Sequence, residues 1–306
     1  MRGPATPLPP VELVTRVGTV EGADPLEFYN REGARLREKI VRLLPEGWSL
    51  EGKRALDFGC GSARVLRQFL DEAQDAELWG CDIDGPSIDW VKTNLSPPLH
   101  CFQNGRDPPL PLADSSFDLV WAMSVFTHID PWSDWLVEMH RILVPGGFLI
   151  ASFLGEGIWE ALLGEPYSED EVGMTVLRHW EPGGPWVFHS EWWLREHWGR
   201  AFEVLEVDRP PRGDDGSPEI THSYIAMRKG SPEINAEELE RCDAREGREL
   251  AGLRTNLRLL RGEIDELIDE RRKSAGPASS LRRAVLRSRL GARARTLHRR
   301  MRGLPP

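Results

Sequence analysis

Long apolar runs are what this sequence most plainly lacks. No window approaches the roughly 18 apolar residues that mark a membrane span, and the opening stretch, MRGPATPLPPVELVTRVG, is proline-rich without the apolar core of a secretory signal. A cytoplasmic chain is the expectation. Cysteine is scarce: Cys60, Cys81, Cys101 and Cys242 show no C-x-x-C spacing, which argues against a disulfide frame and a zinc site, so no metal is expected. Acidic residues vanish after residue 276, where the final stretch holds nine arginines. The preceding residues carry 30 Lys and Arg against 49 Asp and Glu, a charge of about −19, and an acidic body of that kind repels a phosphate backbone. Nucleic acid is therefore disfavoured as the main substrate.

What is present, in 306 residues that are 40% hydrophobic, is enough to bury one core with material left over. From about residue 53 to 228, short apolar runs alternate with amphipathic segments, the pattern of parallel strands covered by helices. Strands are expected at RALDF, ELWGCD, LHCFQ, FDLVWAM, GFLIASF, FEVLEVD and SYIAMR. The last two are separated only by a loop and should pair antiparallel at the sheet edge. The expected fold is thus α/β: a doubly wound, Rossmann-like, mainly parallel sheet of seven strands, the last antiparallel, with a C-terminal helical coiled-coil extension. Asp130 and Pro131 suit the N-cap and first turn of a helix carrying Trp132, Trp135, Leu136, Met139 and Leu143 at helical spacing.

Four segments follow. Residues 1–50 form a leader and helix, 51–230 the α/β domain, 231–275 a coiled-coil helix, and 276–306 a basic tail, amphipathic or disordered. Leu250, Leu253, Leu257, Leu260, Ile264 and Leu267 recur at spacings of three and four, a seam that predicts a homodimer or a helix folded back on the body. In the tail, Leu286, Leu290, Ala294, Leu297 and Met301 share one helical face with arginines mainly elsewhere, which suits peripheral contact with an anionic membrane at its inner face. A solvated tail, or one bound to the acidic body or to nucleic acid, is the alternative.

The chemistry resides in ALDFGCGSARVLR. A strand ending in Asp57, a turn at Gly59 and Gly61, and a helix starting near Ser62 would form the first unit of a ligand-binding α/β fold, with free backbone N–H groups above the turn. Asp82 follows at the end of the second strand, where a carboxylate can accept hydrogen bonds from ribose hydroxyls. A nicotinamide dinucleotide is argued down because Arg64 stands where its fingerprint needs a third glycine. The Tyr-x-x-x-Lys of short-chain dehydrogenases is missing too, since Tyr29, Tyr167 and Tyr224 are followed four places on by Gly33, Glu171 and Arg228.

These motifs resemble those of class I S-adenosylmethionine-dependent methyltransferases. LDFGCGSAR is similar to that family's first motif and WGCDID to its second-strand motif. LPLADSSFDLVWAMSVFTHI followed by WLVEMHRILVPGGFLIASF is similar to its later ones, so the likeness covers residues 53–154 in unbroken order. Within the family, PPLPLADSSFDLVWAMSVFTHI looks most like bacterial enzymes associated with glycans and small molecules. The resemblance implies S-adenosylmethionine as cofactor. Gly59 and Gly61 would meet its methionine part, with Asp57 near the ammonium. Asp82 would hold the ribose, Ile83 would pack on adenine, Asn104 would face the adenine amine where the family usually has Asp, and Met123 would lie beside the sulfonium.

For a hydroxyl acceptor, His128 in SVFTHI is the candidate general base, with a structural hydrogen bond to a loop carbonyl as its other reading. His189 and His222 are weaker candidates, and His140 reads as structural. The Trp cluster (Trp180, Trp186, Trp192, Trp193, Trp198) offers either stacking faces for a sugar or core. Methyl transfer to a hydroxyl of a small molecule or glycan is the expected activity. The alternatives are a non-catalytic coiled-coil assembly protein and a nucleic-acid methyltransferase guided by the basic tail.

Overall fold

A computed structural model describes residues 6–17, 22–129, 131–177, 185–230 and 233–274, with side chains to residue 271. A single turn, α1 (Val11–Val14), precedes α2 (Pro25–Leu43). The longer helix is set by an Asp24 cap, whose Oδ1 accepts from Glu27 N at 2.8 Å, and by Pro25 in its first turn. It buries Phe28, Tyr29, Leu36, Ile40 and Leu43.

The sheet is built from β1 (Arg54–Phe58), β2 (Glu77–Asp82), β3 (His100–Gln103), β4 (Phe117–Ala122), β5 (Leu143–Leu154), β6 (Met174–Leu177), β7 (Trp186–His189), β8 (Phe202–Asp208) and β9 (His222–Lys229). Its path runs β3-β2-β1-β4-β5, all parallel. Antiparallel β9 then lies on β5, and β8 pairs antiparallel with β9 at the edge. The antiparallel pairing of the last two strands at the edge is as expected. The sheet nevertheless holds nine strands rather than seven, because β6 and β7 form an additional hairpin joined to the tip of β5 at Leu154–Phe188. Val187 N also donates to Thr127 O at 2.9 Å, so the hairpin carries on where β4 ends.

Helices cover both faces. On one face α2 and α3 (Gly85–Leu95) enclose Ala55, Leu78, Leu119, Trp121, Ile150 and Tyr224. On the other, α4 (Trp132–Ile142) packs on Phe58, Phe117, Val120 and Leu149. Asp130 lies outside the described residues. Pro131 occupies the cap position just before α4 rather than its first turn. Beyond β5 come α5 (Glu156–Leu163) and α6 (Glu169–Val172), then α7 (Glu191–His197) after β7. Trp193 and Trp198 are core residues here, which answers the Trp cluster in favour of packing for these two. Trp192 lies under the Arg248 guanidinium at 4.4 Å, and Trp180 lies outside the described residues.

The chain closes with α8 (Ala236–Glu240), held by an Asn235/Glu238 capping box, and α9 (Gly247–Ser274). One face of α9 docks on the body. Gly252 is buried against Gly173, Asn256 Oδ1 accepts from Val176 N at 3.1 Å, and Leu259 packs on the cluster of Leu154 and Trp159. The seam residues Leu250, Leu253, Leu257, Ile264 and Leu267 stay exposed. The basic tail from residue 276, including Leu286 to Met301, lies outside the described residues. Among the described residues no helix is long and apolar enough to cross a membrane.

Candidate functional site

The carboxyl ends of β1, β2 and β4 converge because Asp57 on the central strand faces Gly80 on one side and Trp121 on the other. After β1 the chain turns at Gly59 (φ +78°) and Gly61 (φ +53°), backbone angles that favour glycine. Gly59 N and Cys60 N both donate to Cys81 O, at 2.8 and 3.0 Å, which latches the turn onto β2. The helix expected from Ser62 does not form. Ala63 itself adopts φ +67°, which breaks the helical path, and only a 3₁₀ turn at Leu66–Phe69 follows.

Asp82 fastens this loop. Its Oδ2 accepts from Gly61 N at 2.7 Å and its Oδ1 from Asp84 N at 2.8 Å, and burial raises its pKa. Asp57 is only 2% exposed and its Oδ2 has no hydrogen-bond partner. Burial, reinforced by the neighbouring Asp82 charge, pushes its pKa up to about 7, while Trp121, Leu66 and Arg64 pull it the other way. An acid held there gains from a cationic donor.

Ile83, next along, is 58% exposed, with Gln103 Nε2 donating to its carbonyl at 3.0 Å. Asn104 N donates to Asp82 O at 3.1 Å, its Nδ2 to Gly105 O at 2.7 Å, and its Oδ1 is buried without a partner. Met123 is buried at the end of β4. Asp57, Gly59, Gly61, Asp82, Ile83, Asn104 and Met123 thus line one edge of the sheet.

His128 sits past β4, and its Nδ1 lies 2.9 Å from Pro185 O. A carbonyl only accepts, so Nδ1 carries the proton and Nε2 is the basic nitrogen of the neutral ring. Burial lowers its pKa. The hydrogen bond to a loop carbonyl expected of His128 is thus present, and it leaves Nε2 unbonded by that contact. Trp186 stands edge-on to this ring at 6.4 Å.

Sequence reading passes over the residues that α2 brings across the same edge. Arg35 donates to Glu32 through Nε (2.9 Å) and Nη2 (2.7 Å), and to Tyr224 Oη at 3.0 Å. His222, two residues before Tyr224 on the same face of β9, is pushed down to about 4 by burial, with His128, Arg35 and Arg64 adding to the effect and Glu32 opposing it. The Glu32–Arg35 spacing on one helical face is the signal available in sequence; the partner strand is not. His189 is fully buried among Trp193 and Trp198, with neither ring nitrogen bonded. His140 packs edge-on to Phe202 in the core.

A family model described as a methyltransferase domain matches residues 56–151. The chain is 27% identical over 178 residues to a phthiotriol/phenolphthiotriol dimycocerosates methyltransferase of Mycobacterium ulcerans, covering 56% of this chain and 61% of that one. It is 24% identical over 157 residues to a malonyl-[acyl-carrier protein] O-methyltransferase of Serratia marcescens, covering 49% and 60%. The chain thus spans about 60% of the length of these relatives. In solved structures, its fold matches an S-adenosylmethionine-dependent methyltransferase from Mesorhizobium loti at TM-score 0.50 and 17% identity, covering 63% of this chain and 96% of that one.

Proposed function

We propose that the protein binds S-adenosylmethionine at the β1–β2 edge and transfers its methyl group to a hydroxyl of a small molecule or glycan. The observation that carries the cofactor reading is the buried, unpartnered Asp57 Oδ2 beside the Gly59–Gly61 turn. A primary ammonium would satisfy that oxygen, and Asp57 at a pKa near 7 would ionise on meeting it. The backbone at Gly59 and Gly61 would lie against the methionine part. Asp82 retains acceptor capacity for a ribose diol beyond its two backbone donors, exposed Ile83 offers an apolar face to adenine, and Asn104 Oδ1 awaits an amine. Met123, buried at the end of β4, would lie beside the reacting methyl. The residues present fit the cofactor.

S-adenosylmethionine, when bound, supplies an electrophilic methyl group on a sulfonium. His128 Nε2 takes the acceptor's proton as attack proceeds, and its Nδ1–H bond to Pro185 holds the ring in that tautomer. Holding the acceptor in line is the remaining work. The names of the relatives, a lipid methyltransferase and an O-methyltransferase, are compatible with an oxygen acceptor. Transfer of labelled methyl from S-adenosylmethionine to alcohols and glycosides, with the product identified as a methyl ether, tests the reading. Methylation confined to nitrogen or nucleic acid would contradict it.

The exposed seam of α9 supports pairing with the same helix of a second copy, a two-stranded coiled coil along the stripe beside its docked face.

A further inference from the structure

Two thiols meet beneath the cofactor turn. Cys60 lies between Gly59 and Gly61, is 4% exposed, and is tied through its amide to Cys81 O. Cys101 lies on β3, half-buried, directly across from Gly80 on β2. Gly80 has no side chain to separate them. A Cβ at that position would stand 2.9 Å from Cys60 Sγ and 3.3 Å from Cys101 Sγ, so both sulfurs reach into one gap. Neither belongs to a disulfide. Cys81 faces the opposite core with Phe58 and Val120, and Cys242 is exposed beyond α8, which leaves Cys60 and Cys101 as the converging pair among the described residues.

We propose that Cys60 and Cys101 are an oxidation site, closed by hydrogen peroxide into a disulfide that withdraws the cofactor turn from binding. Cys101, the more exposed thiol, reacts first: its sulfur displaces hydroxide from peroxide to give a sulfenic acid. Cys60 sulfur then attacks that sulfur, and the S–O bond breaks as the S–S bond forms. Two thiol hydrogens and one peroxide leave as two waters, so the pair is oxidised by two electrons and peroxide is reduced. The adjacent Cys101, together with burial, raises the Cys60 pKa, which disfavours its thiolate and leaves Cys101 to react first.

Covalent closure must draw Cys60 towards β3. Its neighbours Gly59 and Gly61 move with it, straining the amide bonds to Cys81 O and the Gly61–Asp82 link. That second half rests on the proposed cofactor site; the bond itself does not.

The test uses the full chain carrying Cys242→Ser, treated with hydrogen peroxide and then mapped as non-reduced peptides. S-adenosylhomocysteine binding is measured before oxidation, after it, and after dithiothreitol. The proposal expects a Cys60–Cys101 cross-linked peptide, affinity weaker by about tenfold or more, and recovery on reduction. Cys101→Ser in the same background should bind as before and ignore peroxide. Oxidation of either cysteine to sulfinic acid without a cross-link overturns the proposal, and a cross-link with unchanged affinity overturns its switching half. Failure of the reduced protein to bind S-adenosylhomocysteine would remove the cofactor reading and the switch together, while the peptide map still decides the bond.

Discussion

Gly61 N donates to Asp82 Oδ2 at 2.7 Å, so the glycine turn after the first strand and the acidic residue ending the second are one unit. The carboxylate shapes the turn and, in the proposed cofactor site, would also face the ligand. Removing it should therefore do more than delete a ribose contact: Asp82→Asn, which keeps an acceptor oxygen, should bind S-adenosylhomocysteine better than Asp82→Ala. Calorimetry on the two variants checks the order, and equal affinities would reduce Asp82 to a bystander.

Asp57 should make binding pH-dependent. Its free acid has a pKa near 7, and an ammonium partner lowers it, so affinity should rise with pH up to about 7 and level off above. The same burial costs stability. With a folded pKa above the unfolded value, the favourable contribution is full below about pH 4 and is lost as pH rises through 7. Asp57→Asn should raise unfolding free energy at pH 8 by about 1–3 kcal/mol while abolishing ligand binding. Denaturant titrations at pH 5 and 8 read the difference.

His128 predicts a displaced acid limb. Because burial lowers its pKa, the neutral ring persists below the usual histidine range, and kcat should fall only at correspondingly lower pH. His128→Gln should cut kcat by about 10²- to 10⁴-fold, remove that limb and leave S-adenosylhomocysteine affinity unchanged. A limb that survives the substitution would assign the proton to another group.

Gly59 tolerates no side chain. An added Cβ would come within 2.3 Å of Val125 Cγ2, at a backbone angle that disfavours L-residues. Gly59→Ala should cost about 2–4 kcal/mol. Combining it with Val125→Ala should recover the steric part, giving a non-additive cycle in thermal unfolding.

Much of this was legible locally. RALDF, ELWGCD and FEVLEVD become strands with the boundaries their patterns suggest, because each is a short apolar-rich run bounded by turn signals. The Gly61–Asp82 relation was legible because a glycine turn followed by an acid at the end of the next strand is a recognisable pattern. The β6–β7 hairpin was not: each strand has four residues, and their support comes from Thr127 and Leu154 elsewhere in the chain. Nor was the Arg35–Tyr224 contact, formed between residues 189 positions apart. The missing helix after Gly61 traces to Ala63, whose left-handed backbone no propensity would suggest.

The exposed seam predicts dimers. Leu257, 67% exposed, and Ile264 should be buried on association, so Leu257→Glu with Ile264→Glu should convert a dimer to a monomer in sedimentation equilibrium without lowering the thermal midpoint of the domain. A monomeric parent chain would contradict the pairing.

The most direct test of the central claim is calorimetric titration of the purified chain with S-adenosylmethionine, S-adenosylhomocysteine and NAD, alongside Asp82→Ala. Micromolar binding of the first two, lost in the variant and absent for NAD, is the predicted result. A folded chain that binds neither sulfur compound, or binds NAD in their place, would contradict the account.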